Sequence, residues 1–190
     1  HALRSEPLAV VGLGLLAHVV YQTGFILGID RLTAGMGALL MATAPLWTAL
    51  IAHVGGVDRL RGMAWLGVLL GLAGAALVVI GRSTTEAMGG TAAGIALLLG
   101  GAFAWAVFTV LAKPVIARGV SPIGLTFFGL LAAFPLLAAM GASGVQTAEW
   151  NQVDWQVWAA RVFSGGLSIA AAYAIWNLAV RRIGPSKTAL

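Results

Sequence analysis

The chain has no cysteine, and only 9% of its 190 residues are charged. The first absence excludes disulfides and cysteine-based metal sites while leaving the compartment open. The charges are also unevenly placed. No aspartate or glutamate falls inside any long apolar run, and no His–Glu–His metal motif occurs anywhere in the sequence. Short segments of alternating apolar and polar residues are missing, which excludes a closed membrane barrel. The nucleophile elbow of a hydrolase is missing too. Phe163-Ser164-Gly165-Gly166 comes nearest to it, but position 162, where both the elbow and an intramembrane-protease pattern need glycine, is Val162. Catalysis, a cofactor and a bound metal are therefore not expected.

What remains is apolar: 60% of the residues are hydrophobic, with a mean hydropathy of +0.96. Charges sit in small groups between long apolar runs, the pattern of an all-α, polytopic membrane protein. The net charge of +5 does not indicate nucleic acid, because the basic residues are scattered in ones and twos. Six runs approach or exceed the roughly 20 residues that cross a bilayer: Pro7–Ile29, Thr33–Val54, Met63–Gly81, Thr91–Leu111, Pro122–Met140 and Val157–Val180. A seventh helix is expected from Pro185, since a first helical turn tolerates proline. The first run is too long for a signal-peptide core and lacks a convincing cleavage site. Between the fifth and sixth, Gly141–Gln156 reads as a water-facing loop. With no initial methionine, and Leu190 just after a helix start, the chain reads as a piece of a longer protein.

Lys and Arg orient the spans. Arg4, Arg59, Arg61, Lys113, Arg118, Arg181, Arg182 and Lys187 fall in one set of alternate loops; only Arg31 and Arg82 fall in the other, with Asp30, Glu86, Glu149 and Asp154. That split places His1 and Lys187 in the cytoplasm. A second pattern has a fixed offset of 151 residues. Val11 meets Val162, Gly14 meets Gly165, Leu16 meets Leu167, Leu27 meets Leu178, Arg31 meets Arg182, and Ala38-Leu39 meet Ala189-Leu190. The two helices so related are five spans apart and cross in opposite directions, so a repeat at this offset is inverted, as in many transporters. The expected units are 1–81 and 82–190.

Several stretches, read in order, resemble the EamA-type transporters of the drug/metabolite transporter superfamily. Gly28-Ile29-Asp30-Arg31-Leu32, Ala38-Leu39-Leu40 and Pro45 are similar to the passage from its third to its fourth helix. Gly67, Gly71 and Gly74, ending in Val78-Val79-Ile80-Gly81, resemble its fifth. Gly94 with Ala104-Trp105-Ala106 looks like the opening helix of the second repeat. Residues 172–179, Ala-Tyr-Ala-Ile-Trp-Asn-Leu-Ala, and the exit Arg181-Arg182-Ile183-Gly184 resemble the eighth helix. The resemblance implies a ten-helix bundle of two inverted five-helix repeats, of which this chain covers the third helix to the start of the ninth. One departure stands out. The family often has glutamate after the fourth helix, whereas here the loop reads Gly55-Gly56-Val57-Asp58-Arg59, with Asp58 as a shifted counterpart.

Polar groups at mid-membrane depth are costly and turn towards protein or a water-filled cavity. His18 and Gln22 share a helix face with Tyr21 beside it, and Tyr173 and Asn177 form a second i, i+4 pair. The offset carries Gln22 onto Tyr173. Trp47, Trp105 and Phe108 lie too deep to be interface anchors, whereas Trp176 reads as an anchor and Trp150, Trp155 and Trp158 as an aromatic belt. His18, Tyr21, Gln22, Trp47, Trp105, Phe108, Tyr173 and Asn177 are therefore the expected cavity lining, with helix–helix hydrogen bonding as the alternative for the polar ones and plain packing as the alternative for Trp47, Trp105 and Phe108. Arg161 is expected to snorkel outward. Gly67, Gly71, Gly74 and Ala75, like Gly100-Gly101, read as faces for close helix packing, and Pro45 and Pro135 as kinks.

The expected function is transport of a small organic metabolite or amphipathic compound across a bacterial inner membrane by alternating access. The expected partners are that small molecule, the lipid bilayer and optionally a second copy of the chain. A non-transporting structural or assembly subunit is the alternative, with a membrane-embedded hydrolase behind it.

Overall fold

The computed structural model describes residues 6–58, 62–81, 90–148, 150 and 153–189. His1, Arg4, Arg59, Arg61, Arg82, Glu86, Glu149, Asn151 and Leu190, used above for the charge split, the loops or the offset, lie outside the described residues.

The protein is an all-α membrane bundle. Its helices are α1 (Pro7–Ile29), α2 (Ala34–Val54), α3 (Gly62–Gly81), α4 (Ala92–Ala117), α5 (Pro122–Thr147), α6 (Trp155–Ile183) and the short α7 (Pro185–Ala189). Among the described residues, α1, α2, α4, α5 and α6 are each long and apolar enough to cross a membrane; α3 has 20 residues around the apolar stretch Trp65–Gly74. All six expected runs are helical. Three run further than expected, α6 by two residues before Val157 and three past Val180. α4 continues six residues past Leu111 through Pro114, and α5 continues seven past Met140, so the first part of the expected loop Gly141–Gln156 is helix. Glycine and serine at 141–144 weaken a helix without stopping it, because each still donates its N–H.

The helix starts follow from the residues at the span edges. Backbone groups within a bilayer have no water to bond, so each free N–H needs a partner in the chain. Thr91 caps α4 by accepting from Gly94 N at 3.1 Å, Ser121 caps α5 from Gly124 N at 2.9 Å, and Asp154 caps α6 from Val157 N at 3.0 Å. The expected break at Pro45 is present: α2 is interrupted at Ala42-Thr43, just before the proline. Thr43 Oγ1 donates to Leu40 O at 2.6 Å, supplying a donor where the ladder fails. Pro135 lies inside α5 without ending it.

α4 sits at the centre, packed against α1, α2 and α6; half of its apolar window is buried, against a third or less in the other spans. Glycines let its neighbours approach. A Cβ on Gly24 would stand 2.9 Å from Leu97 O, and one on Gly28 2.9 Å from Leu98 N, so α1 lies directly on the α4 backbone. On its other side α1 crosses α5 at Gly14, where a Cβ would be 2.6 Å from Gly129 O. The packing role expected for Gly67, Gly71 and Gly74 is not found among the described residues: a Cβ at any of them meets nothing within 4 Å. Gly100 is equally open, while Gly101 packs against α1. Helix rotation decides which glycines face a neighbour, and here it turns those of α3 away.

Two helices contain a widened, π-type segment, Leu16–Val20 in α1 and Phe163–Ala171 in α6. The 151-residue offset carries 16–20 onto 167–171, inside the second segment. Such turns are frequent at functional sites. The first contains His18, and the second ends two residues before Tyr173.

Candidate functional site

Where α1, α4 and α6 meet, aromatic rings gather around Trp105. Its ring lies 5.0 Å from Tyr21, 5.3 Å from Phe108, 5.1 Å from Tyr173 and 5.1 Å from Trp176, the Tyr173 contact being edge-on. These separations suit tilted and edge-to-face pairs, which ring quadrupoles favour over flat sandwiches. His18 closes the far side of the group, 4.6 Å from the Tyr173 ring. It rests against α5 one turn above the Gly14–Gly129 crossing, where a Cβ on Gly129 would lie 3.7 Å from His18 Nε2.

Polar atoms line the same region. Tyr173 Oη donates to Ala17 O at 3.4 Å, within the widened turn of α1. That turn loosens the helical ladder where an outside donor arrives. Trp176 Nε1 donates to Thr109 Oγ1 at 3.3 Å, and Thr109 Oγ1 donates to Trp105 O at 2.9 Å. Asn177 Nδ2 donates to Thr126 Oγ1 at 3.0 Å on α5, leaving Asn177 Oδ1 buried without a hydrogen-bond partner among the described residues. His18 makes no hydrogen bond among them. Its imidazole is held by the Tyr173 ring and by packing against α5 at Gly129.

Of the residues expected to line a cavity, the structure brings His18, Tyr21, Trp105, Phe108 and Tyr173 into one cluster. Asn177 lies beside it, fully buried against Thr126. Gln22 is half-buried and makes no ring contact or hydrogen bond among the described residues. Trp47 belongs to a separate pair, edge-on to Phe103 at 5.7 Å, with its Nε1 buried and unpartnered among the described residues. The rings are packed on one another. A groove of about 530 Å³ lies elsewhere, on the outer side of α1 and α4, lined by Val19, Thr23, Gly24, Leu97, Gly100 and Met140 among others.

Trp176 and Thr109 join the cluster although neither was expected to. Trp176 is half-buried, turned inward onto Trp105 and bonded through Nε1 to Thr109. Thr109 could have been found from its i, i+4 spacing between Trp105 and Lys113. Arg161 is exposed and lies 5.8 Å over the Trp158 ring, whose other neighbour is the stacked Trp150 at 6.0 Å. This agrees with an outward-turned arginine in an aromatic belt.

The model of the EamA-like transporter family matches residues 2–80 and again 92–190. An uncharacterized transporter of Bacillus subtilis is 24% identical over 189 residues, covering 99% of this chain and 62% of that protein. An uncharacterized protein of Pseudomonas aeruginosa is 30% identical over 169 residues, covering 88% and 54%. An uncharacterized transporter of Synechocystis is 27% identical over 184 residues, again 88% and 54%. The chain thus spans between about half and three-fifths of the length of these relatives. No solved structure matches it significantly.

Proposed function

The chain belongs to the EamA-like transporter family, and on that premise we propose that it forms the substrate pathway of an alternating-access transporter for a small, ring-bearing organic metabolite. The observation that carries this reading is the cluster on Trp105. It joins α1 and α6, the two helices that the 151-residue offset relates in opposite directions, through the central α4. Transporter sites form at such repeat interfaces near mid-membrane. The proposed halves are 1–81 and 82–190, each contributing rings to the cluster. His18, Tyr21, Trp105, Phe108 and Tyr173 line the site, with Gln22, Trp47 and Asn177 reached as the halves move apart.

Aromatic faces suit a substrate with a planar or amphipathic body, and the Trp, Tyr, His and Asn polar atoms orient its head. No carboxylate or ammonium from the described spans enters the cluster, so substrate charge is not matched there by a fixed countercharge. The motif record and the relatives' names favour transport over catalysis. Lysine and arginine put the end bearing Lys113, Arg118, Arg181 and Arg182 on the cytoplasmic side of a bacterial inner membrane. A second copy of the chain is one proposed partner.

The test is counterflow. The full-length protein in liposomes, preloaded with an unlabelled metabolite, should accumulate the same radiolabelled compound without any imposed proton gradient. Across a panel from aliphatic polyols to indole-bearing compounds, accumulation is expected only for ring-bearing members. Flux no higher than in protein-free vesicles for the whole panel would contradict the reading.

A further inference from the structure

At the basic end of the bundle, three chain segments meet around charges that play no part in the aromatic cluster. Asp58 follows α2, and its Oδ2 is buried with no hydrogen-bond partner among the described residues. Lys113, on α4, reaches the same space and donates from Nζ to Val57 O at 2.9 Å. Gly184 forms the corner between α6 and α7. A Cβ there would stand 2.8 Å from Asp58 Oδ2 and 3.5 Å from Lys113 Nζ. Its φ of +88° is a left-handed conformation that glycine adopts without strain, so the corner can close over both groups. Ser186, two residues on, is 1% exposed, and its Oγ also lacks a partner among the described residues.

Carboxylate and ammonium are neighbours here without being paired. Among the described residues the ion pairs are Arg31–Asp30 and Arg118–Glu6. A buried carboxylate oxygen without a donor is unfavourable, and the Lys113 ammonium beside it is spending a donor on a carbonyl. A small shift of the 57–58 loop against α4 turns this contact into a direct bridge or opens it. The contact also joins the two matched regions, with Asp58 in 2–80 and Lys113 and Gly184 in 92–190. Trp105, Thr109 and Lys113 recur every four residues along one face of α4, so that face runs from the aromatic cluster to Asp58. Thr109, midway, is fully buried.

We infer that Asp58, Lys113 and Gly184 form a charge-based tie that closes the basic end of the transport pathway and releases when that end opens. The inference rests on the transport reading above. Its test uses the full-length protein in oriented vesicles, with Thr109→Cys as the sole thiol and a membrane-impermeant methanethiosulfonate as probe. Adding Asp58→Asn should raise labelling from the basic face by about fivefold, the effect of losing one modest interaction. The charge-swapped pair Asp58→Lys with Lys113→Asp should return it towards the parent rate. Melting temperature serves as the control for folding, and labelling from the opposite face should fall as that from the basic face rises. Equal labelling of parent and Asp58→Asn overturns the tie and leaves the transport reading standing, and a swap that fails to restore the rate overturns the charge-based form of the tie. No labelling from either face in any background removes the transport reading along with it.

Discussion

Replacing Trp105 with alanine in the full-length protein is expected to abolish flux and to lower thermal stability together. Four rings touch this indole and lose their central partner when it is removed. Large aromatic-to-alanine changes in soluble cores cost about 3–5 kcal/mol through lost transfer and an unfilled cavity. In a membrane the transfer part shrinks, because lipid is as apolar as the bundle interior. The cavity and contact part remains, so about 2–3 kcal/mol is expected. Trp105→Phe should recover most of the stability and only part of the flux. Thermal unfolding in detergent and counterflow on the same preparation measure both. Full flux in Trp105→Ala would exclude this ring from the pathway.

Gly14→Ala should damage the fold to a similar degree. The added methyl would strike the backbone of Gly129, with the carbonyl oxygen at 2.6 Å and its carbon at 2.8 Å, and backbone cannot rotate aside. Overpacking of this kind typically costs about 1–3 kcal/mol, and a helix-on-helix collision belongs at the upper end. The reciprocal change, Gly129→Ala, meets Gly14 Cα at 3.1 Å and then His18 at 3.7 Å, so it should be milder. Gly67→Ala and Gly71→Ala point into open space and should be neutral or slightly stabilising, since alanine favours helix over glycine by about 1 kcal/mol. Melting temperatures of the four variants check the order. A Gly14→Ala protein as stable as the parent would mean that α1 does not cross α5 as described.

The contrast among these glycines shows where the sequence was legible. Apolar length alone placed all six helices, while the caps at Thr91, Ser121 and Asp154 that start three of them went unread. The same letters could not say which glycines pack. Gly14 and Gly67 look alike in sequence and differ only in how their helices are rotated against neighbours. Depth within a span was a sound guide to the cluster, since Tyr21, Trp105, Phe108 and Tyr173 do come together. Depth gave no sign that Trp176 turns inward onto Trp105 and Thr109. Gln22 was read on the face of His18, yet it makes no hydrogen bond among the described residues while Tyr21 beside it joins the rings. The widened turns left no trace in composition. They are backbone adjustments set by packing, and only the offset relating 16–20 to 167–171 connects them to the sequence.

The central claim is that the rings around Trp105 part to admit water and substrate from each face in turn. Engineered cysteines test it directly, because the chain has none of its own. Cysteines placed singly at His18, Gln22 and Tyr173 of the full-length protein should react with a small membrane-impermeant thiol reagent from either face. Conditions that speed labelling from one face should slow it from the other. If all three positions stay as unreactive from both faces as a cysteine buried against lipid, the cluster is packing alone and the account of transport fails.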